Sequence, residues 1–181
     1  MKIVKQFDNF DRLNCIIIAA LIILIAVMIL NEKGEVTSAV VDQPSISPIK
    51  NKILREEDQK IYKLVFEHEE KRDFQKALSE INNIIQNKPD RAQSLVYQAR
   101  LYRKQAMLGK SAQSYRRALE ADSKFLDKNY YLFINKEVIA LLSSAIPKFK
   151  REKNLKPNDS EVKQTLRDLY YLRRKVAGGC E

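Results

Sequence analysis

The chain has 181 residues, 31% of them charged, with a formal net charge of +10 and only 4 Gly and 5 Pro. So few glycines leave no Gly-rich phosphate loop, and no stretch alternates apolar and polar residues cleanly enough for a strand. The two cysteines, Cys15 and Cys180, sit near opposite ends and cannot form a framework, and there is no Cys/His cluster to hold a metal.

Residues 1–12 read as a short tail carrying Lys2, Lys5 and Arg12. Residues 13–30 then contain no charge, and eleven of the residues at 16–30 are Ile, Leu or Val. At roughly −0.3 to −0.6 kcal/mol each, these contribute about −3 to −7 kcal/mol to insertion. Eighteen residues at ~1.5 Å each span about 27 Å, close to a ~30 Å hydrocarbon core. The reading is a transmembrane helix over 13–30, making contact with the lipid bilayer. Only Lys33 is basic in the fifteen residues that follow, so the flanking charge keeps residues 1–12 in the cytoplasm and sends the rest across. In a bacterium this is a single-pass inner-membrane protein with a periplasmic domain. The alternative is a cleaved signal peptide, but the small-x-small stretch Thr37-Ser38-Ala39 lies well past the apolar run.

Residues 31–57 read as a linker, because Gly34, Thr37, Ser38, Pro44, Ser45, Ser47 and Pro48 interrupt any periodicity. Beyond it the chain repeats every 34 residues. Ile61 pairs with Leu95, Val65 with Ala99, His68 with Tyr102, Phe74 with Leu108, Ala77 with Ser111, Ile81 with Tyr115 and Ile84 with Ala118, while Pro89, Ser123 and Pro157 mark the boundaries. Such a period means stacked helix-turn-helix units. The units are 58–91, 92–125 and 126–159. In the first, Ile61, Leu64, Val65 and His68 define one helix face, Glu69 to Asp73 a turn, and Phe74, Ala77, Leu78, Ile81, Ile84 and Ile85 a second helix stopped at Pro89. In the third, Pro147 places the start of the second helix around Ser144–Pro147. A capping helix over 160–176 follows, begun by Asp159 or Ser160, and 177–181 is a tail.

These bulky and small positions resemble the tetratricopeptide repeat, over about 102 of the 181 residues. Val65, Ile84, Gln98, Ser123, Phe133 and Lys136 depart from the pattern. The resemblance implies an all-α solenoid of three such units plus a cap, whose first helices line a groove for an extended peptide or a partner helix. The groove positions correspond to Tyr62 and Phe66 in the first unit, Gln93, Val96, Arg100, Arg103 and Lys104 in the second, and Tyr130 in the third. Their mixture of aromatic and basic character suits an acidic partner. The competing reading is that Tyr62 and Phe66 pack on a neighbouring helix. The lysine and asparagine of the chaperone-tail carboxylate clamp are replaced by Tyr62 and Phe66, so that ligand is not implied.

Residues 92–181 carry nineteen Lys/Arg against nine acids, so the whole positive excess sits there. Anionic lipid, an envelope polymer or nucleic acid could meet that surface, although translocation removes nucleic acid's usual supply. His68 has no nucleophile or ligand partner at useful spacing, and no cofactor site is apparent. The expectation is a non-enzymatic, membrane-tethered scaffold for protein–protein interaction in assembly of an envelope or redox complex. A thiol-dependent accessory role through Cys180, on its Gly-Gly tail, is the alternative.

Overall fold

The structure is a computed structural model that describes residues 48–178. The expected tail 1–12, transmembrane helix 13–30, most of the linker and Cys180 lie outside the described residues. Within them the fold is all-helical: α1 (Pro48–Ile61), α2 (Lys63–Glu70), α3 (Phe74–Asn87), α4 (Ala92–Lys104), α5 (Leu108–Ala121), a 3₁₀ turn (Ser123–Leu126), α6 (Asn135–Leu155) and α7 (Ser160–Val176). No described helix is long and apolar enough to cross a membrane.

The period is written into the backbone itself. α2 and α4 end 34 residues apart, at Glu70 and Lys104, and α3 and α5 run from Phe74 and Leu108 to Asn87 and Ala121. Both turns are Schellman motifs. Asp73 N–H reaches back to His68 O at 2.8 Å and Met107 N–H to Tyr102 O at 2.9 Å, while Arg72 and Ala106 N–H each reach the carbonyl three residues earlier at 2.9 Å. The residue after the C-cap is left-handed in both, Arg72 at φ 57° and Ala106 at φ 58°. Glycine usually occupies that position, because a Cβ there crowds the following carbonyl.

Close approach within each pair depends on small residues. Ser111 Oγ donates to Ala99 O at 2.9 Å, and both residues are fully buried, as are Ala77, Ala112 and Ala118. Gln98, where the repeat pattern wants a bulky apolar side chain, is buried too. It accepts from Ser114 Oγ at 2.7 Å and donates to Asn82 Oδ1 at 2.7 Å. This relay ties α5 to α4 to α3 and satisfies an amide that would otherwise cost about 1–3 kcal/mol to bury.

Three sequence expectations are corrected. The first concerns the linker, which does not extend to residue 57, because α1 is already helical from Pro48. Proline is well placed in a first turn, but the apolar signal is thin: Ile49 and Ile53 face solvent, and of the apolar side chains Leu54 and Ile61 turn inward, beside the buried Asp58. Next, Leu64 is 54% exposed rather than core. α1 continues almost without interruption through Tyr62 (φ −97°, ψ 16°), whose N–H bonds Asp58 O at 2.8 Å, and Tyr62 takes the inner position instead. The third correction is to the last unit, which is not 126–159. Its first helix is replaced by the 3₁₀ turn and an irregular stretch through Ile134, and α6 runs unbroken across Pro147. Pro147 removes one helical N–H, and in the preceding turn Ser143 Oγ and Ser144 Oγ donate to Ala140 O at 3.0 and 3.2 Å. α6 instead pairs with α7, and α7 packs against α5. The helix expected to be a separate cap is therefore the second member of a longer third pair. Its N-cap is Asp159, which accepts from Glu161 and Val162 N–H at 2.9 and 3.1 Å.

Candidate functional site

The expected groove residues do come together, but against one another and against α1. α4 is the innermost helix: Ser94, Leu95, Val96, Tyr97, Gln98, Ala99 and Leu101 are all buried. Tyr62, Val96 and Tyr130, expected to face a ligand, are buried. Tyr62 OH shares a 2.8 Å hydrogen bond with Ser94 Oγ, and its ring packs on Tyr97 at 4.6 Å and Phe66 at 6.2 Å. Gln93 Nε2 donates to Tyr130 OH at 3.3 Å. The packing alternative for Tyr62 and Phe66 is the one the geometry adopts.

The basic members of the groove set are paired. Arg100 grips Glu137 with two bonds, Nε to Oε2 at 2.8 Å and Nη2 to Oε1 at 2.6 Å, and Tyr115 OH adds a third at 2.8 Å. Arg103 donates to Glu137 O at 3.2 Å, and Lys104 pairs with Glu69. Burial alone would raise the Glu137 carboxyl, but Arg100, with help from Tyr115, outweighs it and holds the group below the ordinary glutamate value. Bidentate geometry makes this the strongest kind of protein ion pair.

A second acid closes the other end of the face. Asp58 is buried on α1 and accepts from Tyr97 OH at 2.9 Å, Tyr131 OH at 2.6 Å and Arg91 Nη2 at 3.2 Å. Arg91 also reaches Glu57 at 2.7 Å. Burial, then the Asp58 carboxylate, pushes the Tyr97 hydroxyl well above its ordinary value, and Tyr131 moves the same way for the same reasons. Asn51 clasps the stretch before α6, donating to Asn129 O at 2.6 Å and accepting from Tyr131 N–H at 3.2 Å. α1 and residues 127–134 therefore lie over the face that the repeat resemblance assigns to a ligand.

The repeat resemblance puts Glu137 on the groove face of the third unit but not as the partner of Arg100, and Asp58 only at the start of the first unit. A signal was present, because opposite charges recur about one period apart: Glu57 with Arg91 at a separation of 34 and Glu69 with Lys104 at 35.

Concave surface among the described residues lies elsewhere, including a depression of about 510 Å³ beside Leu119, Ser123 and Tyr171. A cleft of about 490 Å³ runs between the start of α5, the end of α6 and the start of α7, lined by Met107, Leu108, Phe149, Leu155 and Val162 together with Lys110, Lys148 and Lys156. It continues between α5 and α7 past Gly109, Gln113, Gln164 and Arg167. A Cβ on Gly109 would meet Thr165 Oγ1 at 3.1 Å, so glycine lets the two helices approach there. Among the described residues no cluster of His, Cys, Asp and Glu is arranged to hold a metal ion.

No family model matches this chain, and neither a curated protein nor a solved structure matches it.

Proposed function

We propose that this protein is a non-enzymatic scaffold of tetratricopeptide-like helical pairs, tethered to the inner membrane through residues 13–30, that holds a partner protein beside the bilayer. The observation that carries the reading is the exact recurrence of the α2–α3 turn in α4–α5, because a backbone repeated at a 34-residue period is the hallmark of stacked interaction modules. The anchor rests on the charge-free run at 13–30. With the first-helix face covered by α1 and residues 127–134, the surface offered to a partner is the cleft between α5 and α7. Its mixed lining of Lys110, Gln113, Glu161, Gln164 and Arg167 suits a peptide or helix with polar and charged groups.

A photo-crosslinking residue placed at Gln113 or Gln164 in native membranes tests this. One partner captured at both positions, and not from Gln86 on the exposed side of α3, supports the reading. Capture from Gln86 alone, or equally from all three, contradicts it.

A further inference from the structure

The end of the molecule formed by the last turns of α6 and the turn into α7 combines an exposed apolar side chain with unneutralised positive charge. Leu155, the last residue of α6, is 76% exposed, the most exposed of the large hydrophobic residues described. Beside it in the cleft lining are Met107 and Phe149. Close to it in sequence, Lys150, Arg151, Lys153 and Lys156, and Lys163 in the first turn of α7, are exposed and make no ion pair among the described residues. The acids of this end are partly committed. Glu152 faces Lys148 at 4.0 Å and Asp159 caps α7, which leaves Glu161. By contrast, the cations at the helix interfaces, Arg91, Arg100, Lys104 and Arg116, all hold acids.

We infer that this end docks on the surface of a bilayer containing anionic phospholipid, with Leu155 entering the headgroup–acyl boundary and the lysines of this end and Arg151 meeting lipid phosphates. An exposed apolar side chain at a strongly basic end suits interfacial binding, the charge supplying attraction within a Debye length and the side chain depth. Single-stranded nucleic acid fits less well, since it wants aromatic platforms among the cations. The nearby tyrosines are already covered, Tyr170 by Arg173 at 5.1 Å and Tyr171 by Arg116 at 5.3 Å. The inference rests on the reading that residues 13–30 hold the chain at a membrane. The seventeen residues between Leu30 and Pro48 reach at most about 60 Å, and a domain of this size has a radius of gyration of about 14 Å. Nothing in the chain length therefore keeps this end from the bilayer.

The test uses the full chain carrying Cys15→Ser, Cys180→Ser and Leu155→Cys, labelled at 155 with an environment-sensitive fluorophore. It is mixed with vesicles of phosphatidylcholine alone or of phosphatidylcholine with phosphatidylglycerol. Flotation reports the anchor and the label reports the docking. The expected result is flotation with both vesicles, but a blue-shifted, brighter label only with phosphatidylglycerol. That response should fall about tenfold or more when Lys150, Lys153 and Lys156 are changed to Glu, and should weaken with salt. If the chain floats while the label stays in water on both vesicles, docking is overturned and the anchor stands. If flotation itself requires phosphatidylglycerol, the anchor falls and docking stands. A label that responds to single-stranded nucleic acid or an acidic peptide, and not to vesicles, overturns the inference.

Discussion

Glu137 shows how much a single side chain contributes here. It receives Arg100 twice, Tyr115 once and, through its backbone oxygen, Arg103. Its carboxyl is depressed below the ordinary value of 4.5 in the fold. A depressed acid contributes stability that is fully present above its unfolded pKa and is lost as pH falls through its folded pKa. Glu137→Gln should therefore cost about 1–3 kcal/mol at neutral pH and should flatten the loss of stability below about pH 4.5, read by denaturant titration across that range. An unchanged acid limb would mean that the pair does not form. The buried phenols work in the opposite direction. Tyr97 and Tyr131 are raised above 10.0 by burial and Asp58, so their contribution is present below pH 10 and is lost above it. In an alkaline titration their tyrosinate absorbance should appear only together with loss of helical circular dichroism. These residues were hard to read from sequence because a buried acid looks the same as a solvated one. Only the pairing of charges one period apart, Glu57 with Arg91 and Glu69 with Lys104, hinted that acids of one unit reach cations of the next.

At the scale of the element, the two left-handed positions are a direct readout of the repeat. A non-glycine residue there costs about 1–2 kcal/mol, offset in part by the greater unfolded-state entropy of glycine. Ala106→Gly should raise stability by about 0.5–1 kcal/mol in a denaturant titration, whereas Ala106→Val should lower it. Pro147→Ala should also stabilise, by about 1–2 kcal/mol, because it restores an N–H inside α6. If Pro147→Ala is destabilising, α6 is not continuous. The first two hairpins were legible because apolar spacing and the stop at Pro89 agree with each other. The third was not. A proline in a helical pattern signals a first turn, while the structure carries Pro147 through a helix whose serine hydroxyls bond the carbonyls of the preceding turn. α1 was hidden because half of its apolar residues, Ile49 and Ile53, point outward.

For the whole molecule, the arrangement separates structural charge from available charge. The cations of α4 stitch α4 to α2 and α6, and those at the far end of α6 stay open. The sequence located the positive half correctly but could not divide it, since division depends on which acids fold back onto which helix. The candidate groove residues were found as a set, yet their role reversed: Tyr62, Val96 and Tyr130 form interior packing that α1 and residues 127–134 complete. The close α5–α7 contact can be probed through Gly109, where a side chain meets Thr165. Gly109→Leu should cost about 1–3 kcal/mol by overpacking and reduce partner capture from Gln113 and Gln164 together.

Covering of the first-helix face by the chain's own residues is the ground on which the proposed function assigns a partner to the cleft between α5 and α7. Native-state hydrogen exchange on the full chain tests it directly. Amides of α1 from Leu54 to Asp58 should be protected along with those of α4, and Asp58→Asn should release both segments. Fast exchange throughout α1 beside a protected α4, unchanged by Asp58→Asn, would show that face to be open and contradict the assignment.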